Sequence, residues 1–229
     1  MAAGRSKSIL MKIVQTADGS STLYHETVGE HYHSVHGALQ ESKHVFLNSG
    51  LQYFLADNEG PVSILEIGFG TGLNYLTTSD FAEANGIEIH YTGIERYPLA
   101  ANIIEEIGYR RYVSETVGKR FFTQYPEALK GVVDNPTGSW HIAIGDVMDF
   151  ASEVLYDVLY FDAFAAIHQP EMWSDETLSH VTSFLKPGGV FVTYAITGNL
   201  KRSMKSLGFR IQKIPGAPGK REMLRAIKE

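Results

Sequence analysis

The sequence reads Ile64-Leu65-Glu66-Ile67-Gly68-Phe69-Gly70-Thr71-Gly72-Leu73-Asn74 where a short apolar run meets a turn that contains three glycines. The apolar run is typical of a strand buried inside a parallel sheet, and the residues after the turn favour a helix. Glycine permits positive φ angles and lets a ligand approach bare backbone. In a doubly wound sheet such a turn lies at the carboxyl end of a central strand, where ligands bind.

The glycine spacing and the acid before it discriminate between two nucleoside cofactors. A dinucleotide fingerprint needs a glycine where Leu73 stands in this chain. Glu66 would repel a pyrophosphate, but it suits the ammonium group of an amino-acid moiety. Two more acids lie at the ends of predicted strands. Glu95 ends the second strand, where a carboxylate can hold ribose hydroxyls, and Asp146 follows the third, where an acid can hold the adenine amino group. The pattern favours S-adenosylmethionine over a nicotinamide cofactor.

From residue 62 onward the chain of 229 residues alternates predicted strands with predicted helices. Apolar runs predict strands over 62–67, 88–95, 140–144, 158–161 and 189–195, and a closing pair over 209–214 and 222–227. Helices are predicted over 71–84, 98–107 and 198–206, and after the capping residue Ser174. This alternation predicts a doubly wound, Rossmann-like α/β sheet, mostly parallel with an antiparallel C-terminal strand. Residues 110–139 fit no simple unit and are interpreted as an insertion.

Residues 1–60 are predicted to form an extension that packs on a domain of residues 61–229. An Asp18-Gly19 turn predicts a hairpin, and residues 37–56 predict a helix. The apolar run at 9–11 is too short for a signal peptide, and no run of 18 apolar residues occurs, so we expect a cytoplasmic protein without membrane contact. The absence of cysteine fits a reducing compartment.

Charge is distributed unevenly along the chain. The net charge is −6, yet residues 199–229 carry nine Lys or Arg against two Glu, so this segment is strongly positive and the remainder strongly negative. Such asymmetry indicates either a surface for an anionic ligand or a solvated face with extended lysines.

Several segments carry a resemblance to a known family. They are Thr16–Tyr24, Tyr32–Phe46, the glycine turn, Tyr160–Trp173 and Gly208–Leu224. Over residues 62–227 the chain resembles class I S-adenosylmethionine-dependent methyltransferases, and over nearly its whole length it resembles the methyltransferase domain of the MnmC family. That family completes 5-methylaminomethyl-2-thiouridine at the tRNA wobble position. The sequence departs from the family pattern at Ala163, where glycine is usual, and at His168, where lysine is commoner.

The resemblance implies a stand-alone enzyme that methylates the primary amine of 5-aminomethyl-(2-thio)uridine, with the anticodon region of tRNA as partner and a functional link to the enzymes that install the aminomethyl group. We predict that Asp162 is catalytic and accepts the proton of the amine or holds the amine; the alternative is an aspartate that only caps a strand end. The predicted cofactor-binding residues are Glu66, Gly68, Phe69, Gly70, Thr71, Gly72, Asn74, Glu95, Asp146, Val147 and Asp162. The predicted substrate-binding residues are Phe164, Met172 and Trp173 as pocket walls, and Lys201, Arg202, Lys220 and Arg221 as contacts to tRNA phosphates.

Two other hypotheses stay open: a methyltransferase that acts on a small-molecule amine, and an S-adenosylmethionine-binding protein without activity. Core packing is the alternative role for Met172, and ordinary packing is the alternative for Tyr24 and Tyr32. Five histidines lie between His25 and His44, but no helical histidine–carboxylate motif accompanies them, so no metal is predicted. The sequence leaves the oligomeric state open.

Overall fold

The computed structural model describes residues 11–229, so the interpretation of the first ten residues lies outside the described part. The chain begins with an antiparallel sheet of β1 (Met11–Gln15), β2 (Ser21–His25) and β3 (Glu30–His31). Asp18 fixes the turn between β1 and β2, because its Oδ1 accepts the backbone N–H of Ser20 at 2.9 Å. These three strands form the first wall of the site described below.

A continuous helical segment follows and packs on the core. It runs through α1 (Ala38–Glu41), a π-helical stretch (Ser42–Gln52) and α2 (Tyr53–Leu55). Phe46 packs on Tyr160 with ring centroids 5.3 Å apart. The predicted division at residues 60 and 61 stays a prediction.

Eight strands and five helices complete the fold. They are β4 (Val62–Ile67), α3 (Leu73–Asn85), β5 (Ile89–Glu95), α4 (Ala101–Ile107), α5 (Glu115–Ala128), β6 (Val133–Asn135), β7 (Gly138–Ile144), β8 (Tyr156–Phe161), α6 (Asp175–Ser183), β9 (Leu185–Thr193), α7 (Gly198–Ser206), β10 (Phe209–Pro215) and β11 (Glu222–Lys228). The sheet order is β10-β11-β9-β8-β4-β5-β7-β6. The five central strands from β9 to β7 are parallel, whereas β6, β10 and β11 pair antiparallel. The carboxyl ends of the parallel strands therefore meet at one edge of the sheet.

Helices cover both faces of the sheet, as expected for parallel strands that are apolar on both sides. One core cluster contains Tyr75 of α3, Phe121 of α5 and Trp140 of β7. The other contains Leu178 of α6 and Met204 of α7. No helix within residues 11–229 combines the length and apolar character that crossing a bilayer requires.

Residues 110–139, interpreted from the sequence as an insertion, contain the regular elements α5 and β6. Ser114 caps α5 by accepting the N–H of Val117 at 3.3 Å, and Phe121 is buried. Gly118 and Pro126 inside the helix weaken its sequence signal, because both residues disfavour helix interiors. Tertiary burial of one face outweighs that local preference.

Candidate active site

The glycine turn, residues 68–72, lies at the carboxyl end of β4 between β5 and β8. Gly68 and Phe69 donate their backbone N–H groups to the carbonyl of Ile94 at 3.0 and 3.1 Å. The Phe69 ring occupies the space beside Gly93, where a Cβ would come within 2.5 Å of it. The neighbouring strand therefore anchors the turn, and residues 68–71 line a cavity.

Close approaches require glycine at two positions of the turn. Gly68 has φ 85°, and a Cβ there would lie 2.6 Å from the backbone oxygen of Asp162. Gly70 has φ 53°, and its Cβ would lie 3.0 Å from Cδ1 of Tyr32. Because these glycines have no side chain, the backbone after β8 and the ring of Tyr32 can both approach the turn closely.

A cavity of about 810 Å³ opens at this carboxyl edge of the sheet. The ends of β4, β5, β7 and β8 form its walls together with β2 and β3. The volume lies within the range of small-molecule sites. The sequence-predicted residues that line it are Gly68, Phe69, Gly70, Thr71, Glu95, Asp146, Val147, Asp162, Phe164, Met172 and Lys220.

Two carboxylates stand at one end of the cavity and are held by backbone N–H groups. Glu95 accepts from Gly70 at 3.0 Å and from Tyr97 at 2.8 Å. Asp146 accepts from Met148 at 3.0 Å and pairs with Arg96 at 2.8 Å. Both acids therefore have fixed positions on the cavity wall.

These residues fit S-adenosylmethionine. Backbone at Gly68 and Gly70 is open to the cavity because a side chain is absent there, and the carboxylates of Glu95 and Asp146 can accept from hydroxyl and amino groups. Met148 lines the same end and is 38% exposed, which offers apolar surface to a purine ring.

Behind the turn, one asparagine joins two buried carboxyl groups. Nδ2 of Asn74 donates at 2.8 Å to Oε1 of Glu66 and at 2.8 Å to Oδ2 of Asp162. The hydroxyl of Tyr91 donates to the other oxygen of Glu66 at 2.8 Å. Burial, reinforced by the nearby Asp162, raises the pKa of Glu66 well above its ordinary value. Glu66 and Asn74, which were predicted to bind the cofactor, do not line the cavity. Their connection to it is the hydrogen bond from Asn74 to Asp162.

Asp162 follows β8, and its side chain is only 7% exposed. Burial and then the charge of Glu41 raise the pKa of Asp162 from 3.8 to about 8, while the Asn74 hydrogen bond and the charge of Lys220 act in the opposite direction. A carboxyl group with that pKa exchanges its proton near neutral pH. Asp162 is therefore the candidate proton acceptor of the cavity.

His33 of the N-terminal segment lies beside this acid. Its Nε2 is 3.0 Å from Oγ1 of Thr71, and its Nδ1 is 4.0 Å from Oδ2 of Asp162. Burial lowers the pKa of His33 to about 4, so the ring is neutral at neutral pH. Among residues 11–229, Nδ1 has no hydrogen-bond partner.

Lys220, predicted as a phosphate contact, is part of the cavity wall. Its Nζ donates to Oε2 of Glu41 at 3.0 Å and lies 3.6 Å from the ring centroid of Tyr194. Glu41 is buried and also accepts the N–H of Ser34 at 2.9 Å. The hydroxyl of Tyr194 donates to the carbonyl of Ala163 at 2.9 Å. This cluster links the C-terminal loop to the segment that carries Asp162.

Apart from Tyr32, the other residues predicted to bind cofactor or substrate lie outside the cavity. Trp173 packs on Phe161 with centroids 5.0 Å apart and donates Nε1–H to the carbonyl of Phe164 at 2.7 Å, so it supports the wall from behind. Gly72 precedes α3 as its N-cap, with φ 74°. Tyr32 lines the cavity and Tyr24 does not. The predicted phosphate contacts outside the cavity are Lys201 and Arg202 on α7 and Arg221 before β11.

Sequence reasoning missed His33, Glu41 and Tyr194 as cavity residues. The histidines between 25 and 44 indicate a functional segment, but their number and spacing do not distinguish a metal site from a histidine that contacts a buried acid. In the described part of the chain, no group of three His, Asp or Glu side chains has the arrangement of a metal site. Tyr194 lies near the end of the strand predicted over 189–195, as Glu95 lies at the end of the strand predicted over 88–95, so the same positional rule points to it.

A family model described as S-adenosyl-L-methionine-dependent methyltransferase matches residues 113–229. The chain is 30% identical, over 213 residues, to the tRNA 5-methylaminomethyl-2-thiouridine biosynthesis bifunctional protein MnmC of Marinobacter nauticus, covering 86% of this chain and 33% of that protein. It is 33% identical, over 207 residues, to the protein of the same name from Leptospira interrogans, covering 84% and 32%. The chain thus spans about a third of the length of these curated relatives.

Solved structures share the fold. The crystal structure of MNMC2 from Aquifex aeolicus aligns with a TM-score of 0.79 at 24% identity, over 96% of this chain and 71% of that one. Magnesium protoporphyrin IX methyltransferase from Synechocystis, with bound SAH, aligns with a TM-score of 0.52 at 11% identity, over 84% of each chain. The predicted doubly wound α/β architecture is confirmed.

Proposed function

The chain belongs to the S-adenosyl-L-methionine-dependent methyltransferases, and from this membership we propose that it methylates the primary amine of 5-aminomethyl-(2-thio)uridine at the tRNA wobble position. The product is 5-methylaminomethyl-(2-thio)uridine, the nucleoside in the names of the curated relatives. The observation that carries the proposal is the position of Asp162, a buried acid of raised pKa between the glycine turn and an aromatic wall.

The proposed catalytic role of Asp162 follows from proton affinities. An alkyl ammonium has a pKa of about 10 in water, so its proton must leave before the nitrogen lone pair can attack. Transfer to an ordinary aspartate is uphill by about 6 pKa units, whereas transfer to a carboxylate of pKa about 8 is uphill by about 2 units. The arriving ammonium also favours ionised Asp162, because opposite charges stabilise each other strongly in a buried site.

S-adenosylmethionine, when bound, supplies an electrophilic methyl group on its sulfonium. The backbone at Gly68 and Gly70 and the carboxylates of Glu95 and Asp146 would hold it. Asn74 fixes the carboxyl of Asp162 by a 2.8 Å hydrogen bond, so the acceptor oxygen keeps its orientation. The strands β2 and β3 form the outer wall and limit the access of water.

The aromatic wall suits a pyrimidine turned out of an RNA strand. Phe164 meets Tyr32 edge-on with centroids 5.1 Å apart, and both rings line the cavity. Enzymes that act on a base read it by stacking between such side chains. Met172 completes this side of the proposed base pocket.

Basic residues near the cavity mouth would hold the tRNA backbone. Thr193 at the end of β9 pairs with Leu224 of β11, so α7 and the loop before β11 both lie at the carboxyl edge. We assign phosphate contacts to Lys201, Arg202 and Arg221, which would make binding salt-dependent. We also propose the anticodon region of tRNA as partner, the cytoplasm as compartment, and the enzymes that install the aminomethyl group as functional neighbours.

Incubation with labelled S-adenosylmethionine and tRNA that carries 5-aminomethyl-(2-thio)uridine tests the proposal. After digestion, the label is expected in 5-methylaminomethyl-(2-thio)uridine, and tRNA without the aminomethyl group should stay unlabelled. Transfer to a small alkylamine but not to tRNA would favour the small-molecule alternative. Cofactor binding without transfer to either acceptor would support an inactive cofactor-binding protein.

A further inference from the structure

The cluster of Lys220, Glu41 and Tyr194 places a cation in the cavity wall near Asp162, whereas Arg96, which also lines the cavity, pairs with Asp146. We propose that Lys220 determines acceptor specificity, with its ammonium group donating a hydrogen bond to a ring carbonyl oxygen of the acceptor pyrimidine. This inference rests on the proposed function, and it assigns Lys220 to the base instead of to a phosphate.

The hydrogen-bonding capacity of Lys220 supports this role. A lysine ammonium has three donors and no acceptor. Within residues 11–229 its hydrogen-bond partner is Glu41, and the Tyr194 ring face takes up a second direction at 3.6 Å from its centroid. One donor therefore remains for a ligand in the cavity. A pyrimidine carbonyl next to the aminomethyl-bearing carbon presents a suitable acceptor.

Burial of its partner holds Lys220 in the cavity. Glu41 is 4% exposed, so withdrawal of the ammonium toward a phosphate outside would leave a buried carboxylate without its counter-ion. The loop before Lys220 is also docked on the N-terminal segment: Nε2 of His44 bonds the carbonyl of Pro215 at 2.8 Å, and His36 fills the space beside Gly219. Arg221, by contrast, is exposed and does not line the cavity.

Lys220 also acts electrostatically on Asp162. Its positive charge lowers the pKa of Asp162, whereas burial and two carboxylates raise it. The charged and titratable groups around Asp162 include Glu30, Glu41, Glu66, His33 and Lys220, together with the hydroxyls of Tyr91, Tyr109 and Tyr194. His33 is neutral near pH 7, and Glu66 is joined to Asp162 through Asn74. Removal of the Lys220 charge should therefore raise the pKa of Asp162 further.

The test compares Lys220→Met with Arg221→Met, its neighbour in sequence. Steady-state methylation of aminomethyl-bearing tRNA is measured between pH 6 and 9 and across a range of salt concentrations. We expect Lys220→Met to lower kcat/KM by about 10- to 100-fold through loss of one charged hydrogen bond, to shift the pH–rate profile upward, and to keep the wild-type salt slope. Arg221→Met should reduce the salt slope by about one and keep the pH profile.

A second variant guards against misfolding. Glu41→Gln combined with Lys220→Met removes both charges, so no buried carboxylate is left unpaired. It should show the same loss of kcat/KM without the upward pH shift, because loss of the Glu41 charge lowers the pKa of Asp162. A reduced salt slope with an unchanged pH profile in Lys220→Met would make Lys220 a phosphate contact and overturn the inference. Wild-type behaviour of these variants would overturn it as well, whereas failure of the wild-type protein to methylate tRNA would reject the proposed function itself.

Discussion

The two halves of the cavity are built in different ways. The proposed cofactor half consists of the glycine turn with Glu95 and Asp146, and it arises where three strands end side by side. The acceptor half is assembled around Asp162 from distant segments, since Glu41 and Lys220 are separated by 179 positions. The first half depends on backbone conformation and the second on buried charge, so the two should respond differently to substitution.

The largest effect should come from Asp162→Asn, which breaks the acceptor half alone. The amide keeps the size of the side chain but cannot accept the proton of the amine, so kcat should fall by about 10³-fold. Single-turnover methylation measures this loss. Cofactor affinity, measured by calorimetric titration, should stay at the wild-type level. Turnover near the wild-type rate would show that Asp162 is not the proton acceptor.

Gly68→Ala should break the cofactor half next. The new Cβ would meet the Asp162 carbonyl at 2.6 Å in a backbone of positive φ, so the turn must shift. We expect cofactor affinity to fall by about 100-fold, which is about 3 kcal/mol. Gly86→Ala is the matched control, because Gly86 also has positive φ but has open space around it. Equal loss of cofactor affinity in both variants would mean that backbone strain alone causes it.

Asn74→Ala tests the connection between the halves. It removes the donor shared by Glu66 and Asp162, so the pKa of Asp162 should rise and the pH–rate profile should move to higher pH. Activity at pH 7 should fall by about tenfold, the worth of one hydrogen bond to a charged group. Asn85→Ala, at the exposed end of the same helix, should change neither quantity. An unshifted pH–rate profile in the Asn74 variant would show that Asn74 does not control the pKa of Asp162.

The stability of the protein should also depend on pH through Asp162. The folded pKa of Asp162 is raised, so its contribution is fully present below pH 3.8 and is lost as pH rises through about 8. Relative to Asp162→Asn, the wild-type protein should lose at most about 1.4 kcal/mol per pH unit and level off above that point. His33 gives the opposite slope between about 4 and 6.5, so urea unfolding between pH 6.5 and 8 avoids the His33 contribution. Glu66 also has a raised pKa, but it is present in both proteins, so the difference between them reports the loss of the Asp162 carboxyl. Parallel stability curves for the two proteins would contradict the raised pKa.

The fold and the proposed cofactor half could be predicted from local sequence patterns, because each pattern lies within one strand and the turn after it. Glu95, Asp146 and Asp162 were predicted by position at strand ends, and all three line the cavity. The roles of His33 and Glu41 could not be predicted, because their chemistry depends on burial and on partners elsewhere in the chain. The charge of Lys220 predicted a phosphate contact, whereas its position in the cavity wall depends on its pairing with the distant Glu41.

The contact between Glu41 and Lys220 also has a consequence for the order of folding. It closes a loop of 179 residues, and such remote closures are slow because their entropy is lost before any contact compensates for it. On the ribosome, all residues up to Asp146 emerge well before Lys220 does. We therefore expect a nascent chain to acquire a nucleoside pocket early and to complete its substrate pocket only near the end of synthesis.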